Sequence, residues 1–131
     1  MKICYIRVST VEQNEQRQLE AFRDKGIEKY FIEKASGKDM ESRPQLRAML
    51  EFAREHDIIH VLDLSRLARN LKDLLEIIEI LQKKQINLIS LKENLETSTP
   101  SGLLMVSLLG AVYEFERVIS RERMLEGPLL E

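Results

Sequence analysis

Ser9 and the arginines Arg7, Arg43, Arg66 and Arg69 are the residues of this chain whose types and placing suit chemistry. A serine hydroxyl is a weak nucleophile; it needs its proton removed and the developing negative charge stabilised. Ser9 follows an apolar run, Ile3–Val8, and directly precedes a polar segment with helical character. Its hydroxyl is therefore expected at a helix N-terminus, where an anionic phosphate is favoured. Arg7 alternates with Ser9, so the two side chains leave the strand on the same side. Arg66 and Arg69 are three apart and share a side if that turn is helical. Arg43 stands just before a helix opened by Pro44. Arginine fits phosphate work because its planar fork binds the oxygens in pairs and stays charged. Taken singly, Ser9 and Thr10 are helix caps, with Thr10-Val11-Glu12-Gln13 fitting a capping box, and each arginine is a solvated or ion-paired surface residue. The chemical expectation rests on their convergence.

Convergence depends on the elements that carry them. Ile3–Val8 is apolar and β-branched, as in a buried strand. Thr10–Asp24 is a helix with Leu19 and Phe22 on one side, ended by Gly26. Tyr30–Ile32 is a second strand and Lys34–Ser42 a polar loop. The helix from Pro44 places Leu46, Met49, Leu50 and Ala53 on one face. Ile58–Leu64 is a third strand. Asn70 and Asp73 start a helix carrying Leu71, Leu74, Leu75, Ile78 and Leu81, and Ile86–Leu91 is a fourth strand. Glu93–Ser101 is a loop, and a long helix covers about 102–125. The alternation predicts an α/β fold: a mostly parallel sheet of four or five strands covered by helices on both faces. Such sheets bind ligands beyond the carboxyl ends of their strands. The loops after the first three strands, with Ser9, then Ser36 and Arg43, then Arg66 and Arg69, should form one site.

The last helix carries Leu103, Leu104, Met105, Val106, Leu108, Leu109, Ala111, Val112, Tyr113 and Phe115 nearly all round it. A helix lying on one sheet needs a single apolar stripe. The surplus predicts burial against a second copy of the chain, with a central helix inside one molecule as the alternative.

Composition sets outer bounds. The 131 residues are 44% hydrophobic and 32% charged, which excludes disordered and fibrous classes. A net charge of −2 gives no overall basic field, so any nucleic-acid contact must come from local arginines. One cysteine, Cys4, in an apolar run excludes an internal disulfide. His56 and His60 are four apart, but His60 falls in a strand and no HExxH pattern surrounds them, so no metal site is expected. The N-terminus lacks a basic-then-apolar leader and the longest apolar run is too short to span a bilayer, so a cytoplasmic location is expected.

Four stretches together carry a resemblance. Tyr5-Ile6-Arg7-Val8-Ser9-Thr10 with Gln13, Lys34-Ala35-Ser36-Gly37 followed by Ser42-Arg43-Pro44, Leu64-Ser65-Arg66-Leu67-Ala68-Arg69-Asn70, and Glu116-Arg117 with Glu122-Arg123 resemble, in order and spacing, the motifs of the resolvase/invertase family of serine site-specific recombinases. The resemblance implies that Ser9 attacks a DNA phosphodiester to give a 5′-phosphoserine and a free 3′ hydroxyl. It implies that Arg7, Arg43, Arg66 and Arg69 hold the scissile phosphate, with Tyr5, Gln13, Ser36 and Ser65 in support. Neither a metal nor any other cofactor is implied. Glu116, Arg117, Glu122 and Arg123 would lie on an oligomerisation helix that joins subunits or faces DNA. The partners would be a double-stranded recombination site and further copies of the chain, as a dimer and, in the synapse, a tetramer; no membrane is implied. The catalytic domain would cover residues 1–127, residues 128–131 would be a native end or a tail, and the family's helix-turn-helix reading domain is expected outside this chain.

One position departs from the family pattern. Ser65 stands where the family usually has Asp, a residue thought to orient arginine or aid proton transfer; Asp63, two residues earlier, could point the same way. The substitution leaves a catalytically weakened or inactive assembly module of the same family as the alternative. A flavodoxin-like phosphate binder would also fit the βα order, but no Gly-rich loop follows the first strand.

Overall fold

A computed structural model describes residues 1–8, 12–34 and 42–126, without the side chains of 12–14 and 126. The elements are β1 (Lys2–Val8), α1 (Glu12–Ala21), β2 (Lys29–Lys34), α2 (Pro44–Phe52), β3 (Ile58–Val61), α3 (Leu64–Leu67), α4 (Leu71–Lys83), β4 (Asn87–Ser90), β5 (Leu95–Glu96) and α5 (Pro100–Glu126). They build one five-stranded sheet of order β2-β1-β3-β4-β5, parallel except for β5. No helix among the described residues is long and apolar enough to cross a membrane.

Strand parity divides the core. Cys4, Ile6 and Val8 of β1 meet Phe22, with Leu19 beside them, on one face. Ile3 and Tyr5 point to the other face, where they join Leu46 and Met49 of α2 and Leu74, Ile77, Ile78 and Leu81 of α4. Burying each such aliphatic side chain stabilises by about 1.5–3 kcal/mol. Arg7 shares the parity of Ile3 and Tyr5, so the fold commits it to the α2–α4 face. The chain runs outward from β1 to β2 and then back across to β3. The sheet therefore reverses its winding between β1 and β3, the place where open α/β sheets commonly bind ligands beyond the strands' carboxyl ends.

Three sequence expectations are corrected. The third strand stops at Val61, and Leu64–Leu67 is a separate helical turn; Ala68 is extended, so Arg66 and Arg69 share no helical face. Asp63 causes the break: its side chain accepts a hydrogen bond from the Arg66 amide and so caps a new helix. The loop expected at 93–101 contains β5, two residues paired antiparallel to β4. The first helix ends at Ala21, and the chain turns through Gly26, whose φ of 74° is in the left-handed region.

Helix α5 begins two residues earlier than expected because Thr99 caps it, accepting from the Gly102 amide at 3.0 Å, with Pro100 as first helical residue. Gly102 is buried there, and a Cβ on it would stand 1.9 Å from the Glu96 carbonyl oxygen. Gly110, eight residues on, has nothing within 4 Å of its would-be Cβ. Opposite outcomes are expected in urea denaturation. Gly102→Ala should cost at least about 2 kcal/mol, since backbone must move. Gly110→Ala should stabilise by up to about 1 kcal/mol through helix propensity. Equal effects would contradict this packing of α5 on β5.

Candidate active site

The α3 turn lies at the carboxyl end of β3, and its amide and carbonyl ends are held differently. A single helical turn satisfies few of its own backbone groups. At its start the Asp63 carboxylate accepts from the Arg66 amide at 3.1 Å and from the Ser65 hydroxyl. Glu93, fixed by the Ser90 hydroxyl, accepts from the Leu64 amide at 3.3 Å. At its end the carbonyls are taken by guanidinium groups from elsewhere in the chain. Arg7 donates through Nε to the Arg66 oxygen at 3.0 Å and through Nη2 to the Ser65 oxygen. Arg43 donates through Nη1 to the Leu67 oxygen at 3.2 Å.

The expected arginines are thus brought together around one turn. Arg66 reaches back, donating through Nη1 to the Arg7 carbonyl at 3.4 Å, while its Nε stands 3.9 Å from Asp63 Oδ2. Burial, together with the charges of Arg66 and Arg43 and against that of Asp63, lowers the Arg7 guanidinium below its ordinary value. It stays protonated at neutral pH. An incoming anion would relieve this repulsion.

Arg43 is deeper than a phosphate ligand was expected to be. It is 8% exposed, in a left-handed backbone conformation (φ 32°) immediately before α2. Its fork is occupied by Asp73, with Nη2 to Oδ1 at 3.0 Å and Nη1 to Oδ2 at 2.8 Å. Asp73 also accepts from the Arg69 amide at 2.9 Å, and the Arg69 side-chain Nε is 3.8 Å away. Burial pushes the Asp73 carboxyl up, but hydrogen bonds from Arg43 and the Arg69 amide, with both their charges, outweigh it and hold it below the usual range.

Among the supporting residues, Tyr5 is fully buried and donates to Glu33 Oε1 at 3.1 Å. Burial and the adjacent Glu33 carboxylate push the phenol up, so it remains a neutral donor. Glu33, which the sequence reading missed, also accepts from the Leu46 amide at 2.9 Å and so ties β1, β2 and the start of α2 together. Its signal was a carboxylate at an inward position of β2, two residues after Phe31. Ser65 spends its hydroxyl on Asp63. Ser9, the Gln13 side chain, Ser36 and the tail from Gly127 lie outside the described residues. Glu116, Arg117, Glu122 and Arg123 are all exposed on α5, about fifty residues after the α3 turn; Arg117 pairs with Glu114 at 3.0 Å. His60 is buried with Nδ1 3.1 Å from the Ile3 carbonyl, whereas His56 is exposed, so the two rings do not form a pair.

Known proteins resemble this chain in sequence and fold. The family model for the resolvase N-terminal domain matches residues 2–128. The Tn21 transposon resolvase of Escherichia coli is 45% identical over 129 residues, 96% of this chain and 67% of that protein. A DNA-invertase of Enterobacteria phage P7 is 40% identical over 127 residues, 97% of this chain and 68% of that one. Among solved structures, the N-terminal catalytic domain of TP901-1 integrase superposes with a TM-score of 0.75 at 26% identity, covering 92% of this chain and 99% of that one. A resolvase-family site-specific recombinase from Streptococcus pneumoniae gives 0.68 at 29% identity, over 96% and 93%.

The Arg43–Asp73 pair yields a stability test with a defined sign. Arg43→Met should cost about 3 kcal/mol near neutral pH, because a buried carboxylate loses its main partner. A depressed carboxyl stabilises the fold above its unfolded value and loses that contribution as pH falls through the folded one, hence below about pH 4. In the variant, burial no longer opposed by Arg43 drives the carboxyl upward. The stability gap between wild type and Arg43→Met, measured by urea titration, should therefore narrow as pH falls through the variant's raised value and on through the wild type's lowered one. A gap independent of pH would show that the pair contributes nothing electrostatic.

Proposed function

The chain belongs to the resolvase N-terminal domain family, and from that premise we propose that it is the strand-transfer domain of a DNA recombinase that cuts through Ser9. The observation that carries this reading is the gathering of Arg7, Arg66, Arg69 and Arg43 around α3, where β1 delivers the chain into Ser9. In the proposed step the Ser9 oxygen forms a bond to the DNA phosphorus. The bond to the 3′ oxygen breaks, the serine proton leaves, and the 3′ oxygen gains a proton. Arg7, Arg66 and Arg69 meet the charge that grows on the phosphate oxygens. Rejoining reverses the step, so the phosphoester energy is retained and no ATP is consumed.

Assembly follows from α5. Met105, Val106 and Leu109 pack on the core, while Leu104, Leu108, Val112, Phe115 and Val118 remain exposed along the same helix. We assign that surface to another copy of the chain, giving a dimer and, with DNA, a tetramer. We place the protein in the cytoplasm, with its DNA substrate.

Two variants test the chemistry in the full-length recombinase with a duplex carrying its recombination site. Ser9→Ala should lower cleavage by at least about a thousandfold, the order found when a nucleophile is removed, with folding intact. Cleavage at an undiminished rate would end the proposal. Asp63→Asn should slow single-turnover cleavage by roughly five- to tenfold, because the Arg66 amide keeps only a neutral acceptor and its guanidinium loses the nearby carboxylate. Adding Ser65→Asp should restore most of that rate. An unchanged rate in Asp63→Asn would show that Arg66 needs no carboxylate.

A further inference from the structure

We propose that Asp73 is a positioning residue that locks Arg43 against α3 and with it sets the geometry of Arg69 for phosphate binding, an inference that rests on the phosphodiester reading above. An acidic residue in the first turn of a helix is commonly no more than a favourable charge near the amide end. Asp73 departs from that pattern in three respects. It is buried, its two oxygens are approached by both Nη groups of Arg43 across 30 positions of sequence, and it also takes the amide of Arg69. Its own amide donates to the Asn70 side chain at 2.8 Å, which fixes the turn from which it projects. Helix α4 is anchored by Leu74, Ile77, Ile78 and Leu81, so the carboxylate is tied rigidly to the core.

The consequence runs outward from there. Arg43 is held in a left-handed backbone conformation that non-glycine residues seldom adopt, and its Nη1 also binds the Leu67 carbonyl that ends α3. Arg69 leaves the extended stretch after α3 with its amide fixed and its Nε near the same carboxylate oxygen. One side chain therefore sets two arginines from different loops.

Positioning and plain electrostatics make opposite forecasts. Deleting a negative charge beside Arg43 and Arg69 would, by Coulomb attraction alone, tighten the binding of an anion. Loss of positioning weakens it. The test uses the 131-residue chain with inorganic phosphate as probe, followed through arginine side-chain proton–nitrogen spectra. In Asp73→Asn the Arg43 N–H groups should exchange with water faster, and phosphate affinity should fall roughly tenfold, as for loss of a charge-assisted contact. Asp73→Glu keeps the charge but displaces the carboxylate, and should weaken phosphate binding by about threefold. If the Asn variant does not fold, the Glu variant decides. Wild-type or tighter phosphate binding in either folded variant, or Arg43 protection unchanged in Asp73→Asn, overturns the proposal. If wild-type chain binds no phosphate while Arg43 protection still depends on Asp73, the phosphodiester reading has failed, and the binding role falls with it.

Discussion

A one-turn helix cannot satisfy its own backbone, and the arrangement around α3 follows from that. Its amides are met by Asp63 and Glu93, and its carbonyls by Arg7 and Arg43. The charges match the two ends: carboxylates on the donors, guanidinium groups on the acceptors. Because Arg7 comes from β1 and Arg43 from the approach to α2, capping this turn also joins three separate loops. Structural and chemical demands therefore coincide. The groups that finish the backbone hydrogen bonding of α3 are among the cations that we propose gather around a phosphodiester.

Clustering cations has a cost in repulsion, and two carboxylates limit it. Asp63 stands beside Arg66 and Asp73 beside Arg43 and Arg69, and burial is the first cause that lowers the Arg7 guanidinium. Ser65 would leave Arg66 without a nearby anion if the carboxylate had to sit at that position. Here Asp63 caps α3, accepts the Ser65 hydroxyl and approaches Arg66. The departure from the family pattern is thus accompanied by a carboxylate two residues along, inside the same turn.

Much of this was legible in the sequence because strand parity and helical spacing are local properties. The βα alternation gave the sheet, and the placing of Arg7, Arg43 and Arg66 at strand ends pointed to a common region. Arg66 and Arg69 would share a side only within one helical turn, and the cap at Asp63 starts a turn too short to hold both. Asp73 was visible only as a helix-start residue, since its pairing with Arg43 is tertiary. Glu33 fell between the strand expected at Tyr30–Ile32 and the loop from Lys34, and a buried carboxylate is recognised only by its partners, here Tyr5 and the Leu46 amide. β5, two residues long, has too few positions for any pattern. The apolar excess of α5 was readable as an excess, and Leu104, Leu108 and Phe115 are indeed left exposed by the single chain.

The central claim is that the chain leaving β1 delivers a serine to a phosphate held by arginines. The most direct measurement is the identity and polarity of the protein–DNA bond. Full-length protein is trapped on a nicked recombination-site duplex, digested with trypsin and nuclease, and examined by mass spectrometry. The account predicts a nucleotide 5′-phosphate on Ser9, in the tryptic peptide running from Val8 to Arg17. A nucleotide on a peptide containing Ser36 or Ser65 instead, or a linkage through a 3′-phosphate, would contradict it.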